Sequence, residues 1–340
     1  MNLMACVERC AQRLEAAGLS FGHGTGNAFD EAVWLVLWRL GLPLDELEEQ
    51  AGRALAAEEE AAVESLLQQR IQSRQPLAYL TGEAWLQGLA FEVNADVIVP
   101  RSLIAEPLAD GTLDSWLPAA PERVLDLCTG GGSLACLAAL VWPQTTVLGT
   151  DLSAPALAVA ARNIVRHGLQ ERVQLAQGDG LQAAPVAVHG RFDLVLCNPP
   201  YVPDRSMRQL PAEYLAEPRL ALAGGPDGMD FVRQLLQQVA DHLNPQGLLV
   251  LEIGHEQQHF ENNFRGLFAP SLGLRTASKI DKPTHQTRRA GPPGQPPTTQ
   301  ALAQPIWLPT SSGDEQVLML GRPSLAALAK RRSTSRHPPP

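Results

Sequence analysis

The sequence predicts an α/β protein, a parallel, doubly wound sheet preceded by a small helical domain. Two patterns carry that reading. From Arg123 onward, short apolar runs alternate with helical periods, as expected of strands covered on both faces by crossover helices. Before residue 75 there are only helical periods separated by short breaks. The 340 residues give room for one large and one small domain. With 45% hydrophobic and 19% charged residues, most of the chain should fold around a core.

In chain order, Leu3–Ala17 spaces its apolar residues at roughly 3.6 and stops at Gly18. Glu31–Leu40 is a second such segment, closed by Gly41-Leu42-Pro43, and Glu58–Ile71 is a third. Together they predict a small helical domain over 1–75. Residues 76–98 contain two β-prone pieces around Gly82 and Gly88 and predict a hairpin-like hinge. The sheet domain follows over 99–321. Its expected strands are Arg123–Cys128, Thr146–Asp151, Val173–Asp179, Phe192–Asn198 and Gly247–Gly254, with two last strands at 306–309 and 316–320. Helices are expected at 133–142, Pro155–His167 (with proline in its first turn) and Gly228–Leu243. Residues 265–305 hold seven prolines and scattered basic residues and predict a disordered insertion. The basic stretch 322–340 predicts a disordered tail.

Charge narrows the partners. The net charge is −9, but residues 1–90 carry 6 Lys/Arg against 13 Asp/Glu. Residues 265–305 carry 6 against 1, and 322–340 carry 5 against none, which leaves the remainder at −12. Such an acidic body is poorly suited to gripping a phosphate backbone. The five cysteines Cys6, Cys10, Cys128, Cys136 and Cys197 are odd in number, form no C-x-x-C and lie mostly within apolar segments, so they read as small buried hydrophobes in a reducing cytosol. No signal peptide, no membrane span and no metal site are expected.

The first strand ends D-L-C-T-G-G-G-S, placing Asp126, Gly130, Gly131 and Gly132 at a strand-to-helix turn. Glycines there let a ligand approach the backbone. Cys128 stands where a G-x-G-x-x-G would begin, and no G-K-[ST] follows. Asp151 ends the second strand and Asp179 the third. A carboxylate at such a tip accepts hydrogen bonds from ribose hydroxyls, at about 1.5–3 kcal/mol each. Two of them beside three glycines favour an adenosyl ligand over simple helix caps.

The fourth strand stops at Asn198-Pro199-Pro200-Tyr201. Neither proline donates to a ladder. The Asn198 side-chain oxygen and the Pro199 carbonyl can accept both hydrogens of a planar NH2, and Tyr201 can stack on the group. Fixing that nitrogen in line with an activated methyl on a sulfonium favours transfer. The corner itself does not separate a glutamine amide from an adenine or cytosine amino group.

These residues resemble the glutamine methyltransferases that act on translation proteins, class I S-adenosylmethionine enzymes with a Rossmann-like, seven-stranded fold that carry N-P-P-Y. The similarity runs over about 20–264 and resumes at 306–321. Residues 21–33 (FGHGTGNAFDEAV), 99–106 (VPRSLIAE), 213–228 (EYLAEPRLALAGGPDG) and 307–317 (WLPTSSGDEQV) resemble the branch that modifies ribosomal protein L-three. The sister branch, acting on peptide-release factors, reads P-R-P-x-T-E where this chain has the longer P-R-S-L-I-A-E.

The resemblance implies that Asp126, Gly130, Gly132, Asp151, Asp179 and Asn198 hold S-adenosylmethionine. It implies further that Asn198, Pro199, Pro200 and Tyr201 hold the glutamine, and that Arg101 and Glu106 belong to a segment closing over the cofactor. For Arg101 and Glu106 the alternative is a surface ion pair. His23 reads as structural or substrate-docking. Gly131, Leu134 and Leu103 depart from the expected pattern, Leu103 from an expected proline, and 265–305 has no counterpart in it. A DNA adenine methyltransferase would share the corner but needs a basic reading domain, the opposite of residues 1–90. A non-enzymatic binder of the ribosomal protein is the third class, against which the intact Asn198 corner and Asp151 speak. The insertion reads first as a tolerated loop, with a ribosomal RNA contact through it or the basic tail as the alternative.

Overall fold

The computed structural model describes residues 1–183, 186, 190–268, 302 and 304–335. The first helix, Leu3–Ala16, starts at Asn2, whose side chain accepts the Ala5 N–H at 2.8 Å. The second, Ala28–Arg39, begins three residues before the expected Glu31, because Asn27 caps it by accepting Asp30 N–H at 2.9 Å. Ala57–Ser73 completes the group, and Leu3, Leu14, Leu35, Leu37 and Leu67 form its core.

The hinge departs from expectation at its start. Leu77–Thr81 is a short helix rather than a strand, ended by Gly82 at φ +72°. The hairpin follows as β1 (Glu83–Leu86) and β2 (Leu89–Glu92), paired antiparallel. Gln87 and Gly88 turn it with φ of 51° and 75°, the pair of positive angles that a two-residue hairpin needs.

The sheet holds seven strands in the order β5-β4-β3-β6-β7-β9-β8. These are β3 (Arg123–Leu127), β4 (Thr146–Asp151), β5 (Val173–Gln177), β6 (Phe192–Cys197), β7 (Leu243–Glu252), β8 (Ile306–Leu308) and β9 (Val317–Gly321). The first five run parallel, whereas β9 lies antiparallel between β7 and β8, so the sheet is mixed.

Alternation along each strand divides two cores. Val124, Leu194, Leu196, Leu248 and Val250 face one side with Ala135 and Ala138 of helix Ser133–Val141. Leu125, Leu127, Val195, Leu249 and Leu251 face the other with Val232 and Leu236 of helix Asp230–His242. Helix Ala154–Arg166 carries the hairpin. Its Asn163 donates to the Glu92 carbonyl at 3.0 Å and to the Gly131 carbonyl at 2.9 Å, while Arg162 and Arg166 pair with Glu92 and Glu83.

The tail expectation is corrected over 322–335, and 336–340 lie outside the described residues. Arg322–Ser335 is a helix, and Leu325 and Leu328 bury themselves in the second core. Burial of those leucines, three apart on one helical face, outweighs the basic composition. The insertion over 265–305 lies mostly outside the described residues. At its described edges Arg265–Phe268 is helical and Leu302 is buried in the first core. Among the described residues no helix is long and apolar enough to cross a membrane.

Candidate active site

The strand tips after β3, β4, β5, β6 and β7 meet at one edge of the sheet. After β3 the backbone turns through Cys128, Gly130 and Gly132 at φ of 57°, 54° and 80°. Cys128 thus takes the glycine-like conformation of the position it occupies, at about 1–2 kcal/mol for an L-residue. A Cβ on Gly132 would stand 3.1 Å from Ala160 Cβ, so the turn packs closely on helix Ala154–Arg166.

The three acids behave differently. Asp126 is buried beneath the turn, taking the Thr129 hydroxyl at 2.5 Å, and burial pushes its carboxyl up to about 7. Asp151 accepts Gly130 N–H at 2.9 Å and Ser153 N–H at 2.8 Å, which fixes the glycine turn to the β4 tip. Asp179 lies two residues past the end of β5, with an exposed side chain that caps no N–H. Leu152, directly after Asp151, is 51% exposed and offers an apolar surface beside the acids that the sequence pattern did not single out.

The corner begins one residue beyond β6. Register pairs Cys197 with Leu127, which sets Asn198 beside the glycine turn. Among the described residues the Asn198 side chain and the Pro199 carbonyl take part in no hydrogen bond. The chain behind them is held firmly: Val202 N–H donates to the Leu222 carbonyl and Gly224 N–H to the Val202 carbonyl, each at 2.9 Å. Glycines make the fit possible. A Cβ on Gly228 would stand 2.2 Å from the Tyr201 carbonyl oxygen, and one on Gly224 2.8 Å from that of Pro200. The Tyr201 ring lies against Gly254, and its hydroxyl donates to Glu252 Oε1 at 3.2 Å. Burial pushes the phenol well above its usual range and raises the Glu252 carboxyl.

A strap over 97–103 spans both halves of the site. Its Val97 side chain lies 3.6 Å from where a Gly131 Cβ would be. Further on, Glu252 Oε2 accepts Ser102 Oγ at 2.6 Å and Leu103 N–H at 2.9 Å. A proline at 103, expected from the pattern, could not make that second bond. Arg101 does not pair with Glu106. Its guanidinium meets Glu217 in a two-pronged contact at 2.5 and 2.7 Å, and Glu106 accepts from Ser311 N–H and Oγ at 2.6 and 2.5 Å. Arg101 lies on the extended strap and Glu106 in the short helix Ala105–Ala109 that follows, which turns the two side chains toward different neighbours.

His23 is 2% exposed, which rules out a role as a docking surface; its ring lies 4.3 Å from that of Tyr214. Glu217 and Glu252 were missed, because their partners lie 116 and 150 residues away in sequence. The four stretches 21–33, 99–106, 213–228 and 307–317 do converge here: His23 meets Tyr214, Arg101 meets Glu217, and Ser311 meets Glu106. Among the described residues no group of three or more His, Cys, Asp or Glu is placed to hold a metal ion.

Comparison with known proteins adds an outside measure. The family described as methyltransferase small domain matches residues 111–270, and the PrmC N-terminal domain matches 6–82. A Bordetella pertussis protein described as ribosomal protein uL3 glutamine methyltransferase is 44% identical over 326 residues, covering 95% of this chain and 96% of that one. A Burkholderia pseudomallei protein of the same description is 42% identical over 329 residues, covering 95% of each. One from Neisseria gonorrhoeae is 45% identical over 251 residues, 73% of this chain and 82% of its own.

Proposed function

The chain belongs to the ribosomal protein uL3 glutamine methyltransferases, and from that premise we propose that it methylates the side-chain amide nitrogen of one glutamine in uL3, with S-adenosylmethionine as donor. The observation that carries the chemistry is the pair of unengaged acceptors, Asn198 Oδ1 and the Pro199 carbonyl, on a rigid corner beside the glycine turn.

The residues present fit the donor. Gly130 and Gly132 leave the turn without side chains, Asp151 and the exposed Asp179 can accept from ribose hydroxyls and a base amino group, and Leu152 can pack on the base. When bound, S-adenosylmethionine supplies an electrophilic methyl on a sulfonium. Asn198 and Pro199 take one N–H each, which fixes the amide nitrogen and favours the pyramidal geometry of the transition state. Tyr201 closes the flat side of the amide, its ring held between Gly254 and Glu252. The acidic helical domain complements a basic ribosomal protein, and a cytoplasmic location goes with that substrate. Contact with ribosomal RNA would fall to basic residues largely outside the described ones.

The test offers methyl-labelled S-adenosylmethionine with purified uL3, a peptide-release factor and duplex DNA in parallel. Label in uL3 is the expected result. Label only in release factor assigns the sister branch, and label only in DNA overturns the reading.

A further inference from the structure

The helical domain reaches the acceptor corner through one buried carboxylate. The Glu217 side chain is fully buried; its Oε1 accepts Val99 N–H at 2.9 Å and Arg101 Nη1 at 2.5 Å, and its Oε2 accepts Arg101 Nη2 at 2.7 Å. His23 Nε2, from the helical domain, stands 3.6 Å from Oε2, too long for a hydrogen bond but close enough for an electrostatic contact. Tyr214 lies between the two partners, 4.3 Å from the His23 ring and 5.5 Å from the Arg101 guanidinium.

Glu213, in the same E-Y-L-A-E stretch, is equally buried. It faces Arg74 Nη2 at 2.7 Å and Arg70 Nη1 at 3.8 Å, and Arg70 Nε in turn holds Glu31 at 2.8 Å. Three buried carboxylates thus face three guanidiniums in two groups, Glu217 with Arg101, and Glu213 and Glu31 with Arg70 and Arg74. Packing apolar side chains would join two domains at lower desolvation cost. The Glu217 pair does something an apolar plug cannot: both Arg101 prongs and the Val99 N–H end on its two oxygens, which fixes the direction of the strap.

That direction is passed on. Glu217 holds Arg101 and Val99; the next residues, Ser102 and Leu103, are held by Glu252, and the other oxygen of Glu252 takes the Tyr201 hydroxyl. We propose that Glu217 is a positioning residue for methyl transfer: it sets the strap from which Glu252 fixes Tyr201, and His23 makes that setting depend on the docked helical domain. The proposal deepens the function given above and rests on it.

Glu217→Gln keeps the shape and one acceptor oxygen but opposes an NH2 to the Arg101 fork. Its kcat on uL3 should fall about tenfold or more, while KM for uL3 and the Kd for S-adenosylmethionine stay within about threefold. Adding Arg101→Gln to that variant should cost less than about threefold more, since both changes break one contact. His23→Leu leaves the Arg101 pair intact and so remains informative if Glu217→Gln fails to fold; its kcat should fall about threefold or more with the same constancy of Kd. Unchanged kcat in His23→Leu, or a loss of cofactor affinity matching the loss of kcat in either variant, would overturn the positioning role. Failure of the unaltered protein to methylate uL3 would overturn the function itself, and the positioning role with it.

Discussion

Replacing Gly254 with alanine tests how tightly the acceptor wall is built. The residue has φ +52°, and an added Cβ would stand 2.5 Å from Tyr201 Cε2, 2.9 Å from Cζ and 3.1 Å from Cδ2. Carbon pairs settle at about 3.5–4.0 Å, so the ring must retreat by roughly 1 Å. The left-handed backbone costs an alanine about 1–2 kcal/mol, and a displaced phenol gives up its bond to Glu252, worth about 1–3 kcal/mol. Unfolding stability should therefore drop by about 2–5 kcal/mol. A shift of that size next to the reacting nitrogen is expected to lower kcat by about 10²-fold. Cofactor affinity should hold, because the glycine turn and Asp151 lie on other strand tips. Single-turnover transfer to uL3, calorimetry with S-adenosylmethionine and a denaturant titration read the three quantities. Full kcat in a folded Gly254→Ala protein would refute the claim that Tyr201 must sit where Gly254 lets it.

Asn198→Ala should lose methyl transfer by about 10²-fold or more while most S-adenosylmethionine affinity remains; a loss of affinity in calorimetry as large as the loss of transfer would show that the cofactor contact of Asn198, and not its hold on the glutamine, dominates. Arg70→Met leaves Glu31 buried without its cation and should cost about 3–5 kcal/mol in a urea titration; an unchanged midpoint would contradict the buried pair. Glu217 gives a signed pH prediction. Burial works against its ionisation, but His23 and Arg101 hold the carboxyl down at about 2, below its ordinary 4.5. A group lowered in the fold stabilises fully above the unfolded value and loses that contribution as pH falls, here about 3 kcal/mol between pH 4.5 and 2. Glu217→Gln should flatten the stability curve across that window, and equal slopes for the two proteins would count against it.

What could be read in the sequence divides along physical lines. Strands β3, β4 and β6 stood out because they are apolar on both faces, and the corner stood out because two prolines cannot extend a ladder. Gly130, Gly132, Asp151 and Asp179 followed from their places at strand ends. The parts that hold the corner did not show, since Glu252 to Ser102 and Glu217 to Arg101 are contacts between distant stretches with no local spacing. The glycines at 224, 228 and 254 are common residues whose need appears only when Pro200 and Tyr201 are set against them. Arg101 and Glu106, for which a surface ion pair was the alternative, reach Glu217 and Ser311 instead, contacts that no local spacing announces. The helix Arg322–Ser335 was hidden by its basic charge, although Leu325 and Leu328 carried the spacing that betrays it.

The central claim is that this corner delivers a methyl group to a planar amide. Its most direct test is to locate the methyl on uL3 after reaction, by fragmenting the labelled protein. A single methyl is expected on the side-chain nitrogen of one glutamine, absent when Asn198→Ala replaces the unaltered protein. A methyl on a lysine or a terminal amine, or one that survives the Asn198 change, would contradict it.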